Sequence, residues 1–239
     1  MRIIIIRHAE PDYEHNTITA NGFIEASALT KRLLNEKIDY VYLSPLQRAK
    51  DTASEYLKIT KKEAITFSWL QEFPYRAIDV DTKKERISWD FPVKQFVNMK
   101  GIYDESNWLK LPTFKKEVKK GYNYVCKEFD ELLATHGYVR KGKYYKVTAS
   151  NHDTLVFFCH LGLECVLLSH LFNIPFPVMA QHFAPVPSSV STIYTEERVP
   201  GIAQFRAQSL GDISHLYKEN ITPSFMGRFR ECKDDNTRK

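Results

Sequence analysis

The sequence predicts an α/β protein: a three-layer α/β/α sandwich with a mostly parallel central sheet and an inserted cap subdomain. Two runs of apolar residues, 3–6 and 154–159, have the length of strands and no polar alternation, which is typical of strands buried on both faces. Between them lie segments whose apolar residues recur at helical spacing. Strands buried on both faces need helices on either side of the sheet, and the sandwich follows from that requirement.

The first half of the chain alternates strands with helices. After the first strand a helix begins at Thr19, and its apolar residues lie at helical spacing. The residues expected on its buried face are Phe23, Ala26, Leu29, Leu33 and Leu34. Residues 39–44 form a second short strand that ends at Pro45, and a helix follows from residue 46 to about residue 57. Residues 65–73 favour a strand that runs into a loop.

The segment from residue 74 to residue 113 lacks regular periodicity. Forty residues without structure are unusual inside a compact domain, so we expect a cap, inserted at 73–113, with short helices of its own. Aromatic and basic side chains alternate within it. Two interpretations stay open: these aromatics recognise the part of a ligand outside its anionic group, or they pack the cap onto the core.

Regular periodicity returns in the second half of the chain. The expected elements are a long helix over 114–133 that stops near Gly137, a tight turn at 141–143, a strand at 144–147, the buried strand at 154–159, a helix from about 162 that ends before Pro175, strands at 189–194 and 202–208, and a frayed polar tail from Arg228. We expect His170, within the helix after Gly162, to be a surface or structural residue.

Length and composition fit one globular domain, which we place at 1–239. Apolar residues make up 43% and charged residues 26%, both ordinary values for a globular protein of 239 residues. The net charge of +5 suits a small anionic substrate and is too small to indicate nucleic-acid binding. The apolar runs are too short to span a bilayer and no signal segment is visible, so we expect a cytoplasmic protein without a membrane partner. No sequence feature indicates an oligomeric state.

The cysteines and acidic residues show no metal-binding arrangement. Cys126, Cys159, Cys165 and Cys232 include no Cys-x-x-Cys pair, and three of them lie in apolar surroundings. We therefore expect free buried thiols, and neither a metal nor another cofactor.

Basic residues and imidazoles follow three of the predicted strands. Arg7 and His8 end the first strand, Arg48 lies in the first turn of the helix after residue 45, and His160 follows the strand at 154–159. Open α/β sheets bind ligands beyond the carboxyl ends of their strands. Taken alone, Arg7 and His8 fit equally well as the first solvated residues after a strand. The recurrence at other strand ends favours a site.

Several blocks resemble the signature blocks of the histidine phosphatase superfamily, the phosphoglycerate-mutase-like proteins. They are Arg-His-Ala-Glu at 7–10, the ten residues 44–53 and Cys-His-Leu-Gly at 159–162, in the family's order. Residues 19–26 are similar to the family's Thr-x-x-Gly-x-x-x-Ala helix start, and residues 209–216 to its closing strand and turn. Each block alone is a weak signal, whereas together they span nearly the whole chain.

The resemblance implies a role for each matching residue. His8 is the nucleophile that becomes phosphorylated, and Arg7, Arg48 and His160, with Leu161 beside them, form the phosphate pocket. Glu72 matches the family's acidic proton donor, which follows a Leu; the alternative is a solvated loop carboxylate. Glu63 and Asp79 are weaker candidates for the same role.

The chemistry of these side chains agrees with those roles. Guanidinium groups match phosphate oxygens with two parallel hydrogen bonds, and a protonated His160 adds a third donor. Each charge-assisted hydrogen bond contributes roughly 1.5–3 kcal/mol. A neutral imidazole is a competent nucleophile, and a carboxyl that titrates near the working pH can protonate the leaving alkoxide and later accept a proton from water.

Departures from the family's pattern favour a phosphatase over a mutase. Ala9 stands where Gly is commoner, Pro11 replaces the usual Ser or Thr, and the short loop before Thr19 lacks the Trp-Asn and Gly-Trp elements of glycolytic mutases. Asn16 is a candidate substitute for the missing Asn in substrate binding.

We therefore expect a metal-independent phosphomonoester hydrolase that acts on a small phosphorylated metabolite through a phosphohistidine. The alternatives are a phosphoglycerate-mutase-type phosphotransferase, a non-catalytic protein that binds a phosphorylated ligand, and a protein phosphatase whose cap grips a polypeptide.

Overall fold

The structure is a computed structural model that describes residues 1–228 and 230–235. The strands are β1 (Arg2–Arg7), β2 (Pro11–Asp12), β3 (Thr17–Ile18), β4 (Tyr40–Leu43), β5 (Ile65–Thr66), β6 (Arg76–Ile78), β7 (Glu85–Ile87), β8 (Tyr138–Lys141), β9 (Tyr144–Val147), β10 (Thr154–Cys159), β11 (Val190–Val199) and β12 (Ile202–Asp212). The helices are α1 (Ala20–Leu33), α2 (Gln47–Thr60), α3 (Val93–Asn98), α4 (Lys116–Thr135), α5 (Leu161–Phe172), α6 (Phe176–His182) and α7 (Ser214–Lys218). Across these residues, no helix is long and apolar enough to cross a membrane.

An eight-stranded sheet in the order β5-β4-β10-β1-β11-β12-β9-β8 forms the middle layer. The strands β5, β4, β10 and β1 are parallel, whereas each pairing from β1 to β8 through β11, β12 and β9 is antiparallel. The α/β sandwich is thus confirmed, but the sheet is mixed, and "mostly parallel" describes only one half of it. Tight turns at Gly142 and Gly201, where φ is +61° and +81°, reverse the chain and make antiparallel pairing the only outcome.

Strand β1 lies near the middle of the sheet and is buried on both faces, as expected. Ile3 and Ile5 pack on one side with α4, α5 and the 73–113 segment, whereas Ile4 and Ile6 pack on the other side against α1 and α2. Successive side chains of a strand point to opposite faces, so an uninterrupted apolar run fills both cores. This burial fixes the position of the strand end, where Arg7 and His8 lie.

Helix α1 begins as predicted but buries a narrower face than expected. The Thr19 hydroxyl accepts the Gly22 N–H at 2.9 Å and caps the helix. Ala26, Leu29 and Leu33 are buried, whereas Phe23 and Leu34 are 49% and 46% exposed, contrary to the expectation. The expected stripe was therefore too wide: at its two edges the side chains face solvent.

The stretch from residue 65 to residue 113 has little regular structure. The expected strand at 65–73 is only the two-residue β5, because a 3-10 turn over Ser68–Leu70 turns Trp69 and Leu70 into the core. The following segment contains the β6–β7 hairpin, the short helix α3 and a second 3-10 turn, Trp108–Lys110. Several of its aromatic side chains are buried in the main core. These are Phe91, Phe96 and Trp108.

The remaining differences from the expected elements lie in the second half of the chain. Sequence patterns missed β8, α6 and α7, and both late strands run further than expected, to Val199 and Asp212. Cys126, Cys159 and Cys165 are buried free thiols, as predicted. The tail expected from Arg228 falls partly on residues 229 and 236–239, which lie outside the described part of the chain.

Candidate active site

The pairing of β1 with β10 brings the two histidines together. These strands are parallel neighbours with Arg7 opposite Cys159, so the next residues, His8 and His160, leave the sheet side by side. Their ring centroids lie 5.1 Å apart. Two imidazoles that are 152 positions apart in the sequence thus share one pocket at the carboxyl ends of the strands.

His8 has one ring nitrogen held and the other available. Its Nδ1 lies 2.7 Å from the carbonyl oxygen of Ala9, and because a carbonyl only accepts, Nδ1 carries the proton. The lone pair is therefore on Nε2. Burial and the nearby Arg7 guanidinium lower the pKa of His8 to about 3, so the ring is neutral at ordinary pH.

The backbone around His8 is anchored on both sides. The His8 N–H donates to the Cys159 carbonyl at 2.9 Å, and the His8 carbonyl accepts from Ser188 N–H at 3.1 Å. The Ala9 N–H donates to the Thr52 hydroxyl at 2.9 Å, which itself donates to the Arg48 carbonyl at 2.7 Å. Sequence reasoning did not assign Thr52, although it belongs to the 44–53 block. Its hydroxyl ties the end of β1 to the start of α2.

His160 is oriented by Ser44, a residue that sequence reasoning also left without a role. The Ser44 hydroxyl lies 2.7 Å from His160 Nε2 and accepts the Leu46 N–H at 3.2 Å. A hydroxyl that accepts from the backbone can donate its own proton to Nε2, which leaves the ring proton on Nδ1. That Nδ1 is buried and has no hydrogen-bonding partner among the described residues. Burial lowers the pKa of His160 well below its usual value, so the ring is neutral and not, as expected, a cation.

Two guanidinium groups supply the positive charge of the pocket. Arg7 is 3% exposed and donates from Nη1 to the Pro185 carbonyl at 2.6 Å. Arg48 is the second residue of α2, with its guanidinium carbon 5.6 Å from the centroid of the Tyr13 ring. Within the described residues the Nε atoms of both are buried without an acceptor. Both cations lower the pKa values of His8 and His160, which places them beside the two rings.

Glu72 lies where the first turn of α5 meets this cluster. Its Oε1 accepts the Phe73 N–H at 2.8 Å and the Leu163 N–H at 3.1 Å. Burial raises the pKa of Glu72, and Arg7 and Arg48 lower it to a smaller extent. The carboxyl is thus near both cations, and its second oxygen can carry a proton. Leu161, expected to bind phosphate, is the first residue of α5, where peptide N–H groups have no partner within a helix.

Two buried carboxyls near the pocket were missed by sequence reasoning. Glu164 of α5 is fully buried; burial raises its pKa to about 8, although Ser191 and Arg7 lower it. Glu25 of α1 accepts the N–H groups of Glu10 at 2.8 Å and Ser224 at 3.2 Å, and burial raises its pKa to about 7. A sequence signal for both existed: each is a charged residue among the apolar residues of its helix, and a charge in such a position is unusual.

The remaining candidates lie away from the cluster. Asn16 is exposed in the turn between β2 and β3, and Glu63 is also exposed. Asp79 accepts from Thr82 N–H and Gln95 and pairs with Arg86 at 3.1 Å, so its carboxylate is used within the 73–113 segment. His170 pairs with Asp130 at 2.9 Å, in keeping with a structural role.

The sandwich and this cluster define an α/β protein in which two imidazoles and two guanidinium groups meet at the strand ends. Residues 3–148 match the family model described as histidine phosphatase superfamily (branch 1), and the chain belongs to that family. Its membership confirms the resemblance carried by the signature blocks.

Solved structures of three phosphatases share this fold. They are phosphoserine phosphatase from Entamoeba histolytica (17% identity, TM-score 0.60, 90% of this chain and 98% of that chain), mycobacterial glucosyl-3-phosphoglycerate phosphatase (17%, 0.59, 88% and 98%) and α-ribazole phosphatase from Shigella flexneri (20%, 0.55, 89% and 97%). Comparison with curated protein sequences gave no match.

Proposed function

We propose that the protein is a phosphatase that hydrolyses the monoester of a small phosphorylated metabolite, without a metal ion, through a phosphohistidine at His8. The observation that carries the proposal is the protonation and orientation of the His8 ring. Its Nδ1–H donates to the Ala9 carbonyl, so Nε2 carries the lone pair, and the Arg7 and Arg48 guanidinium groups lie near the ring. A neutral, oriented imidazole beside fixed positive charge is what attack on a phosphate dianion requires.

The first half-reaction transfers the phosphoryl group to His8. Arg7, Arg48 and the Nδ1–H of His160 hold the phosphate oxygens, and Nε2 attacks phosphorus as the bond to the leaving oxygen breaks. Glu72, whose raised pKa keeps a proton available, donates that proton to the leaving oxygen. The products are the alcohol, a Glu72 carboxylate and phosphohistidine. The Nδ1–H bond to Ala9 stabilises the positive charge that the ring acquires.

The second half-reaction returns the enzyme to its starting state. Water attacks phosphorus on the side opposite Nε2, and the Glu72 carboxylate accepts the proton of that water. The P–N bond breaks, inorganic phosphate leaves, and His8 is again neutral with its lone pair on Nε2. Each group ends as it began, so no further reactant is needed.

The remaining parts of the chain receive roles by position. The segment 73–113 acts as a cap, because its Trp89 lies against the start of α5 beside Glu72. It excludes bulk water from the pocket and faces the alcohol part of the substrate. Asn16 stays a candidate substrate-binding residue in the β2–β3 turn, which also carries Tyr13 beside Arg48.

Release of inorganic phosphate tests this function. Phosphorylated metabolites, including phosphoserine and 3-phosphoglycerate, are incubated with the protein in the presence of a metal chelator, and phosphate is measured. We expect phosphate from at least one ester. Isomerisation of 3-phosphoglycerate without phosphate release would identify a mutase, and turnover of phosphopeptides alone would identify a protein phosphatase.

A further inference from the structure

A cavity of about 460 Å³ lies directly beside the phosphate pocket. Its walls come from the cap, from the region around α6 and from the tail after α7, and Leu161 and Gly227 border it. A Cβ at Gly227 would lie 3.0 Å from Nη2 of Arg7, so the tail backbone rests on that guanidinium. The cavity therefore borders the Arg7 guanidinium across the tail backbone, and its volume suits a whole small ligand.

Trp89 links the cavity wall to the proton donor. A Cβ at Gly162 would lie 2.7 Å from the Trp89 indole nitrogen and 2.9 Å from Glu72 Oε1, so both groups pack against α5 at Gly162. The indole N–H donates to the Phe73 carbonyl at 3.2 Å, which holds the ring in place. An ester whose leaving oxygen meets Glu72 must extend its alcohol part past this indole, into the cavity.

Three aromatic side chains line the cavity. Trp89 and Phe91 of the cap face the same space as Phe183, which follows α6, and Leu161 and Ala180 add apolar surface. Aromatic walls favour flat rings, which they contact by offset stacking or edge to face. The lining therefore fits a ring better than a short polar chain.

Charged side chains of both signs line the cavity. Arg86 is bound to Asp79 at 3.1 Å and lies over the Phe91 ring at 5.7 Å, and Arg228 pairs with Glu231 at 3.7 Å. Burial raises the pKa of Asp90, whereas the nearby Arg86 lowers it, and no hydrogen bond to this half-buried carboxyl is formed within the described part of the chain. Asp90 can therefore accept a hydrogen bond from an N–H or O–H donor of a ligand.

We propose that this cavity binds the alcohol part of the substrate, and that the substrate is the phosphate monoester of a ring-bearing alcohol. The inference rests on the proposed function and goes beyond it by naming the substrate class. The aromatic side chains contact the ring, and Asp90 accepts a hydrogen bond from a donor on it. Phosphoserine and 3-phosphoglycerate have no ring and fall outside this class.

Three alkyl esters separate the ring effect from leaving-group chemistry. The kcat/KM values of 2-phenylethyl phosphate, propyl phosphate and 3-phosphoglycerate are compared, since all three release an alkyl alcohol. We expect 2-phenylethyl phosphate to exceed each of the others at least tenfold. Equal values, or a preference for 3-phosphoglycerate, would overturn the inference.

Variants of Phe183 test whether the preference for the ring-bearing ester depends on the cavity. Phe183→Ala, or Phe183→Leu if the alanine variant does not fold, should lower kcat/KM for 2-phenylethyl phosphate at least fivefold more than kcat/KM for propyl phosphate. The control is Tyr103→Ala, which removes a half-exposed cap aromatic that packs on Phe96 outside the cavity. Loss of the preference in the control, or its retention in the Phe183 variants, would contradict the assignment.

A binding measurement distinguishes this inference from the catalytic proposal. In His8→Ala, calorimetric titration should give at least tenfold tighter binding of 2-phenylethyl phosphate than of propyl phosphate. If the wild type hydrolyses neither ester but this difference persists, the function fails and the ring site stands. If both esters are hydrolysed and bind equally, the ring site fails and the function stands.

Discussion

At the scale of single residues, the pocket uses burial to set protonation. His8 and His160 are almost inaccessible to solvent, which keeps both rings neutral, and two cations beside them act in the same direction. Burial acts oppositely on Glu72 and raises the pKa of its carboxyl. One environment therefore favours the uncharged form of both imidazoles and of the Glu72 carboxyl.

Replacing Glu72 tests the acid directly. Gln keeps an oxygen for the Phe73 and Leu163 N–H groups but has no proton to give, so Glu72→Gln should slow alkyl esters about 10²–10⁴-fold. Aryl esters such as 4-nitrophenyl phosphate should lose far less, because their leaving oxygen needs no proton. The activity of the wild type should fall as pH rises through the raised pKa of Glu72, whereas the activity of the variant should not show this fall.

The role of Glu72 is tested by measuring kcat/KM for an alkyl and an aryl ester, in the wild type and in Glu72→Gln, across a range of pH. Glu63→Gln is the matched control, since Glu63 is an exposed carboxylate in the same part of the chain. Equal slowing of both ester types by Glu72→Gln would remove Glu72 from the acid role.

Glu164 should make stability depend on pH. Its pKa is about 8 in the folded chain against an ordinary value of 4.5, so between these pH values the folded state holds a proton that the unfolded state has lost. Stability must then fall as pH rises, by about 1.4 kcal/mol per pH unit. Glu164→Gln, neutral at every pH, should match the wild type near pH 4.5 and exceed it increasingly up to pH 8.

Denaturant unfolding at pH 5 and pH 8 measures this difference. The control is Glu131→Gln, an exposed carboxylate of α4 that pairs with Lys127 at 3.3 Å. A stability difference between Glu164→Gln and the wild type that stays constant with pH would show that Glu164 does not titrate as described.

At the scale of elements, the start of α5 carries much of the site. His160 precedes the helix, Leu161 opens it, and the Leu163 N–H binds Glu72. Gly162 is required here by space, because Trp89 and Glu72 occupy the position of a side chain. The expected signature block thus includes a glycine whose role is close packing.

Gly162→Ala should displace the acid while leaving the helix intact. A Cβ within 3 Å of both Trp89 and Glu72 forces one to move, and a shift of about 1 Å can cost about 10²-fold in rate. We expect that loss in kcat/KM for alkyl esters, with little change in melting temperature, since Ala favours a helix.

The control is Gly201→Ala, in the β11–β12 turn, where an added Cβ meets no atom but φ is +81°. It should lower stability and leave kcat/KM unchanged. Full activity in Gly162→Ala would show that the contact with Trp89 and Glu72 does not position the acid.

At the scale of the whole molecule, the sequence predicted the features that depend on neighbouring residues, such as the two buried strands. The runs at 3–6 and 154–159 are apolar on both faces, so their burial and the meeting of His8 with His160 follow from the sequence. The burial of Glu25 and Glu164 was not predicted, because a charged residue in a helix is usually solvated. These two carboxyls are buried by contacts between elements, which the sequence does not show. The role of Ser44 depends on the neighbouring strand and is likewise invisible in the sequence.

The place of the antiparallel strands in the sheet and the path of the tail were beyond sequence patterns for the same reason. Strand β11 joins the sheet by pairing with β1, so that Tyr194 lies opposite Arg2. The tail returns to Arg7 through Ser224, which binds Glu25, nearly 200 residues away in the sequence. Both features join distant parts of the chain.

The account as a whole depends on a covalent bond between phosphorus and Nε2 of His8. The most direct measurement is to quench the protein with acid-free denaturant during turnover of a ³²P-labelled ester and map the labelled peptide. We predict acid-labile, alkali-stable label on the peptide that contains His8, and none in His8→Ala. Sustained phosphate release with no label on His8, or with label on another residue, would contradict the account.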